Sequence, residues 1–169
     1  KTAYEISLGL VGSEMCIRDR FMMRVLLDYP DRDKEVQILS KKTTLGEWVD
    51  VNPITSAEEI LKAIKVASSI YVDETILSYV ADLARATREH PKVALGVSPR
   101  GAVMLLYASK AKAAIEGKRY VTPDHVKSVI NLVFNHRMIL KGGGSIYTAQ
   151  REEVAEVLKD VLEEVPSPR

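Results

Sequence analysis

Helix-start signals recur along this chain and constrain it to a mainly helical fold. Ser98-Pro99 and Thr122-Pro123 each place a side-chain cap before a proline, at a helical position that needs no backbone N–H. Thr55 and Ser56 precede glutamates at capping-box spacing, and Asp73 precedes an apolar stripe of helical period. We predict six helices, which begin near Asp31, Ser56, Asp73, Ser98, Thr122 and Thr148.

One stretch near the start of the chain is more typical of a strand. Residues 21–29 are short and apolar and are closed by Pro30, which favours a buried β-strand. No other convincing strand follows, so this one would lack a ladder partner and would be prone to aggregate if exposed. We therefore predict an all-α bundle with one orphaned N-terminal β-strand, whose sheet would lie in a missing part of the protein.

Composition excludes several classes of function. The 169 residues suit about one domain, and a net charge of +1 gives no bulk electrostatic indication of a nucleic-acid partner. Apolar residues make up 46% of the chain, but no run approaches the roughly 18 that a membrane span needs. A single cysteine excludes a disulfide framework and a cysteine-built metal site. We expect no nucleic-acid partner, no membrane span and no metal held by this chain.

Residues 1–20 resemble a translated sequencing adapter rather than native protein. Residues 10–19 match one reading frame of a transposase-type adapter, and residues 1–6 match the flow-cell end of the same oligonucleotide. Cys16 would then be adapter-encoded, and the native chain would start at the last base of codon 20 as a fragment cut at its N-terminus. The alternative is an amphipathic leader that ends in a basic turn.

The three histidines do not form a recognisable catalytic or metal-binding set. His90, His125 and His136 have no second histidine or cysteine at ligand spacing, so we expect them on the surface or at helix ends. No phosphate loop of the Gly-Lys-Ser/Thr type and no Gly-x-Ser-x-Gly elbow occurs in the chain. The sequence thus holds no complete active site.

Arg100 is the residue whose position is hardest to explain by helix formation alone. It follows the Ser98 cap by two residues, where the helix end already carries about half a positive charge. An arginine there is unfavourable by a few tenths to about 1 kcal/mol, but with the free N–H groups it can bind an anion such as phosphate. The alternative is that Arg100 reaches away to a carboxylate or to solvent.

Several motifs resemble the MoxR-type AAA+ ATPases. Residues 82–100 contain Arg-Ala-Thr-Arg, His-Pro and Leu-Gly-Val-Ser-Pro-Arg in the order found in the lid domain of that family. Residues 120–140 resemble its later lid helices, and residues 21–33 resemble the last core strand and the start of the lid. The ending Val-Pro-Ser-Pro-Arg at 165–169 is also similar. The resemblance covers essentially all of residues 21–169.

The resemblance implies a domain division and a function. Residues 1–20 would be adapter, 21–29 the last strand of a truncated ATPase core, and 30–169 the helical lid. The family implies ATP and Mg²⁺ as cofactors, a homo-oligomer that is usually a hexameric ring, and a cytoplasmic location. It also implies chaperone-like maturation or assembly of partner complexes, with von Willebrand A-domain proteins among the clients. The phosphate loop would lie upstream, so this fragment would be inactive alone.

Two arginines acquire roles from the same resemblance. The arginine of the Ser-Pro-Arg motif is the family's sensor 2 residue, which reaches the ATP γ-phosphate and couples nucleotide state to the lid angle; it corresponds to Arg100. Asp19-Arg20-Phe21 matches the run that carries the family's trans-acting arginine finger, which stabilises charge on a neighbour's ATP. Because Asp19 and two bases of codon 20 match the adapter, the finger role of Arg20 requires that the source DNA encodes the same residue.

Two other interpretations stay open. One is the lid of another AAA+ machine, such as a magnesium-chelatase-like ATPase, which different insertions upstream would reveal. The other is a stand-alone helical protein-interaction module, which a start codon just before Phe21 would favour.

Overall fold

The computed structural model describes residues 17–45, 51–142 and 150–168. Over those residues the predicted all-α architecture is confirmed. The helices are α1 (Arg32–Leu45), α2 (Ala57–Ser69), α3 (Glu74–Glu89), α4 (Pro99–Ile115), α5 (Pro123–Phe134) and α6 (Gln150–Glu164), with a 3₁₀ turn at Asn135–Arg137. Thr148, the predicted cap of the last helix, lies outside the described residues. No described helix has the length and apolar content needed to cross a membrane.

The helices belong to two compact units. The described residues within 25–63 form one, and those within 17–24 and 64–168 form the other. In the smaller unit the predicted capping box is present, since Ser56 N donates to Glu59 Oε2 at 2.9 Å and Glu59 N donates to Ser56 Oγ at 3.2 Å. The Ser56 amide is the main cause of a lowered pKa of Glu59, so the carboxylate favours the start of α2.

Residues 21–29 form no sheet with the rest of the described chain, as expected of an orphaned strand, and their assignment as the last strand of a truncated core stays a prediction. The segment has no ladder, and Val25, Leu27 and Tyr29 are exposed. A strand is stabilised by hydrogen bonds to a neighbouring strand, and none is available to this segment among the described residues. Met23 still packs against the core of the larger unit, and Arg24 N donates to Leu132 O at 2.9 Å.

The core of the larger unit is built from the apolar faces of four helices. The helix α4 packs against α5 and α3, and α6 packs against α3 and α5. The predicted stripe of α3 is buried except for Leu77, which is 44% exposed. The apolar core residues that are 0% exposed are Leu83, Val97, Leu105, Ala113, Val126, Val133, Phe134 and Val161.

The starts of three core helices are confirmed at their predicted caps. Asp73 Oδ1 accepts from Thr75 N at 3.0 Å, and Ser98 Oγ accepts from Gly101 N at 3.2 Å. At α5, Thr122 N donates to His125 Nδ1 at 2.9 Å, so a histidine occupies the place that a glutamate takes in a capping box. These caps fix the register of α3, α4 and α5.

A small sheet that was not predicted joins two loops. The strands β1 (Val93–Leu95) and β2 (Ile139–Leu140) pair antiparallel, with Val93 opposite Leu140. This ladder connects the segment before α4 to the segment after the 3₁₀ turn. It therefore helps to bring the start of α4 and the end of α5 together.

Candidate functional site

Arg100 lies in the first turn of α4 and projects from an exposed position. Ser98 is the N-cap, Pro99 is the first helical residue, and the first turn contains no acidic side chain. Among the described side chains, none forms an ion pair or hydrogen bond with Arg100. The alternative of a carboxylate partner is therefore not seen there, whereas that of an arginine directed to solvent stays open. The guanidinium is free to meet an anion, while the Gly101 amide of the helix end is occupied by the Ser98 cap.

The start of α4 is fastened by the Ser98 hydroxyl. This hydroxyl donates to the Asp19 carboxylate, whose Oδ1 and Oδ2 lie 3.0 and 3.1 Å away, while it accepts from Gly101 N. Gly101 permits a close approach, because a Cβ there would lie 2.4 Å from Val97 Cγ1 and 2.9 Å from Arg137 Cδ. The first turn of α4 thus rests directly on the Arg137 side chain.

Arg137 is the most deeply buried charge of this region. Its side chain is 1% exposed and its Nε donates to Asp19 Oδ1 at 3.2 Å. The guanidinium also donates to the carbonyls of Asp19 at 3.2 Å and Met22 at 3.1 Å, and to those of Phe21 and Val133. Burial lowers the pKa of Arg137, and the charge of Asp19 opposes that shift. The charge is compensated by one carboxylate and a set of carbonyls, as a buried arginine requires.

Arg20 lies in the turn that this guanidinium holds. Arg20 N donates to Ile17 O and Phe21 N donates to Arg18 O, both at 3.1 Å, and Arg20 is exposed. The turn that carries Arg20 and the helix start that carries Arg100 therefore contact the same few residues. We call this set, Asp19, Ser98 and Arg137, the anchor cluster.

His136 lies against the anchor cluster and is not a surface histidine. It is 4% exposed, with Nε2 2.7 Å from Arg137 Nη1 and 3.1 Å from Phe21 O. A guanidinium can only donate, so the neutral ring accepts at Nε2. Burial and, second, the Arg137 charge lower the pKa of His136 from 6.5 to about 4, against a smaller opposing effect of the Phe21 carbonyl.

This shift predicts a pH dependence of stability. The folded pKa lies below the unfolded one, so the unfolded chain binds more protons between pH 6.5 and about 4, and stability is lost as pH falls through that window. We expect a loss on the order of 2–3 kcal/mol by pH 4 from this residue. Urea unfolding at pH 7 and pH 4.5 should show a smaller difference for His136→Gln than for the unsubstituted chain. Equal differences in the two proteins would contradict this assignment.

The other histidines lie at helix ends, as expected, although His125 is also buried. His125 Nε2 contacts Glu116 Oε2 at 3.0 Å, and His90 is the C-cap of α3. No group of three or more metal-ligating side chains occurs in the part of the chain that the structure describes. Sequence reasoning missed Arg137, although a charged residue directly before the apolar run Met138-Ile139-Leu140 was a signal for a buried cation.

Comparison with known proteins shows what this arrangement is similar to. Residues 85–164 match the AAA lid domain family, a range that contains Arg100, Arg137 and most of the core. YeaC of Bacillus subtilis is 27% identical over 144 residues, which cover 85% of this chain and 45% of YeaC. The chaperone MoxR1 of Mycobacterium tuberculosis is 28% identical over 163 residues, which cover 90% of this chain and 41% of MoxR1.

A solved structure has the same fold. The crystal structure of a Cytophaga hutchinsonii protein assigned as an ATPase superposes with a TM-score of 0.75 at 26% identity, covering 92% of this chain and 49% of that one. The chain spans somewhat less than half the length of these relatives. Residues 85–164 thus match the AAA lid domain family, and the chain as a whole is similar in sequence to MoxR proteins.

Proposed function

We propose that this chain is the nucleotide-sensing lid of a MoxR-like AAA+ ATPase, with Arg100 as its sensor 2 residue. The observation that carries the proposal is the exposed guanidinium without a partner among the described residues, at the N-terminus of a capped helix. A γ-phosphate is the ligand that such a site suits, because the helix end and the guanidinium both favour an anion with several acceptor oxygens. ATP binding would then bias the lid angle.

In this proposal the remaining catalytic parts lie outside the chain. The sequence holds no phosphate loop, and its relatives are about twice as long. The missing core would hold ATP and Mg²⁺. Arg20 would act as the arginine finger toward the ATP of a neighbouring subunit, in the hexameric ring that the family resemblance implies. The domain division into 1–20, 21–29 and 30–169, with the first part adapter-derived, belongs to the same proposal. A finger role for Arg20 therefore also requires that the source DNA encodes arginine at this codon.

The cellular role is the least specific part of the proposal. The name of the relative MoxR1, a chaperone, supports a chaperone-like function in maturation or assembly of partner complexes. Clients with von Willebrand A domains, a cytoplasmic location and the absence of nucleic-acid partners are proposed from the family resemblance, with the near-zero net charge in support of the last.

A titration of the chain with ATP tests whether the nucleotide is held mainly by the upstream core. We expect the 169-residue chain to bind Mg²⁺-ATP weakly, with a dissociation constant no tighter than about 1 mM (about −4 kcal/mol), because one arginine and a helix end provide few contacts. Isothermal titration calorimetry measures this directly, and Arg100→Ala serves as the background. Micromolar binding would contradict the proposal that the nucleotide is held mainly by an upstream core.

A further inference from the structure

We infer that the anchor cluster is a positioning device that holds Arg20 and Arg100 in one fixed relation. This inference rests on the proposed function, in which both arginines act on ATP phosphates. It goes further by proposing that Asp19, Ser98 and Arg137 keep the two arginines in a fixed relation, so that they move together.

The first argument is the way in which Asp19 divides its contacts. Its Oδ1 accepts from Arg137 Nε at 3.2 Å, and both of its oxygens lie within 3.1 Å of the Ser98 hydroxyl. Asp19 immediately precedes Arg20, and Ser98 precedes Arg100 by two residues. A single carboxylate therefore links the backbone of one exposed arginine to the helix cap of the other.

The second argument is the rigidity of the Arg137 side. The Arg137 guanidinium cannot rotate without losing several hydrogen bonds. It donates to the carbonyls of Asp19, Phe21 and Met22 on one side and to that of Val133 on the other. Each of these acceptors lies on the Arg20 turn or at the end of α5. With Gly101 packed on the same side chain, the turn, α4 and α5 meet at one buried point.

The third argument concerns the charge that position 19 must carry. A guanidinium that is 1% exposed requires a nearby anion, and no other carboxylate in the described part of the chain pairs with it. Codon 19 falls within the adapter match, so the inference also predicts that the source DNA encodes aspartate at this codon. Another residue type there would overturn the positioning role in the native protein.

The distance between the two arginine positions tests the inference without any ATPase activity. Nitroxide labels at Arg20→Cys and Arg100→Cys, in a Cys16→Ser background of the full chain, should give one narrow distance distribution by pulsed electron resonance. We expect the distribution to broaden at least twofold in Asp19→Asn and in Ser98→Ala, and to stay narrow in the exposed control Asp28→Asn. Ser98→Ala keeps the ion pair, so it tests the link to α4 even if Asp19→Asn unfolds. Equal widths in all folded variants would overturn the inference.

A turnover measurement on the full-length protein separates this inference from the proposed function. We expect Asp19→Asn to lower kcat at least tenfold with the nucleotide dissociation constant changed less than twofold, and to add little to Arg20→Ala in the double variant. If Arg20→Ala and Arg100→Ala lower kcat while Asp19→Asn does not, the positioning inference fails alone. If neither arginine variant lowers kcat, the proposed function fails and the inference with it.

Discussion

Replacement of Arg100 by alanine should lower the ATP turnover of the full-length protein by about 10²-fold or more, with the fold unchanged. The guanidinium is exposed at the start of α4 and has no partner among the described side chains, so its removal leaves no buried group unsatisfied. The loss would come from the transition state, in which charge builds on the transferred phosphoryl group. Steady-state hydrolysis of Mg²⁺-ATP measures the effect.

Arg85→Ala is the matched control for this prediction. Arg85 is also an exposed helical arginine, but it pairs with Glu89 at 3.3 Å on the surface of α3. We expect the turnover of Arg85→Ala to match that of the unsubstituted protein. Arg100→Lys should turn over faster than Arg100→Ala, because a lysine keeps the charge although it lacks the planar fork of arginine. Unchanged turnover in Arg100→Ala would count decisively against a sensor 2 role.

Replacement of Arg137 by methionine should give a large loss of stability. Methionine fills much of the volume, but it leaves the Phe21 and Met22 carbonyls without their donor and leaves Asp19 without its cation. Loss of one partner of a buried ion pair costs about 3–5 kcal/mol. For a chain of this size each kcal/mol lowers the melting temperature by about 2–4 °C, so we expect a decrease on the order of 10 °C.

Thermal unfolding of the 169-residue chain measures this loss, with Arg85→Met as the control. The Arg85–Glu89 pair is exposed on both sides, and such pairs contribute about 0–1 kcal/mol, so the control should melt close to the unsubstituted chain. If both variants melt together, the Arg137 contacts contribute no more than a surface pair, and the anchor cluster loses its structural basis.

The helices could be predicted from the sequence because their start signals are local. Asp73, Ser98 and Thr122 act on amides within three residues, so spacing alone was sufficient to place α3, α4 and α5. The strand predicted over residues 21–29 depends on a partner strand outside the chain, so its assignment stays a prediction. The sheet of β1 and β2 was missed because strands of three and two residues give no readable alternation.

The candidate site was only half predictable. The oddity of Arg100 is a local one, since a cation at a helix N-terminus can be recognised from its cap. Arg137 and Asp19 are more than a hundred residues apart, and nothing in the spacing of either predicts that they meet. Burial of His125 and His136 was likewise set by tertiary packing that helix-end position does not reveal.

Reading the source DNA upstream of codon 21 tests the central claim most directly. About 500 bases in frame suffice to cover a phosphate loop preceding a lid. The account predicts a Gly-x-x-x-x-Gly-Lys-Ser/Thr motif after a strand pattern, with Asp and Arg at codons 19 and 20. A start codon just before Phe21, or an unrelated frame, would contradict it and leave a helical interaction module in which Arg100 has no nucleotide to sense.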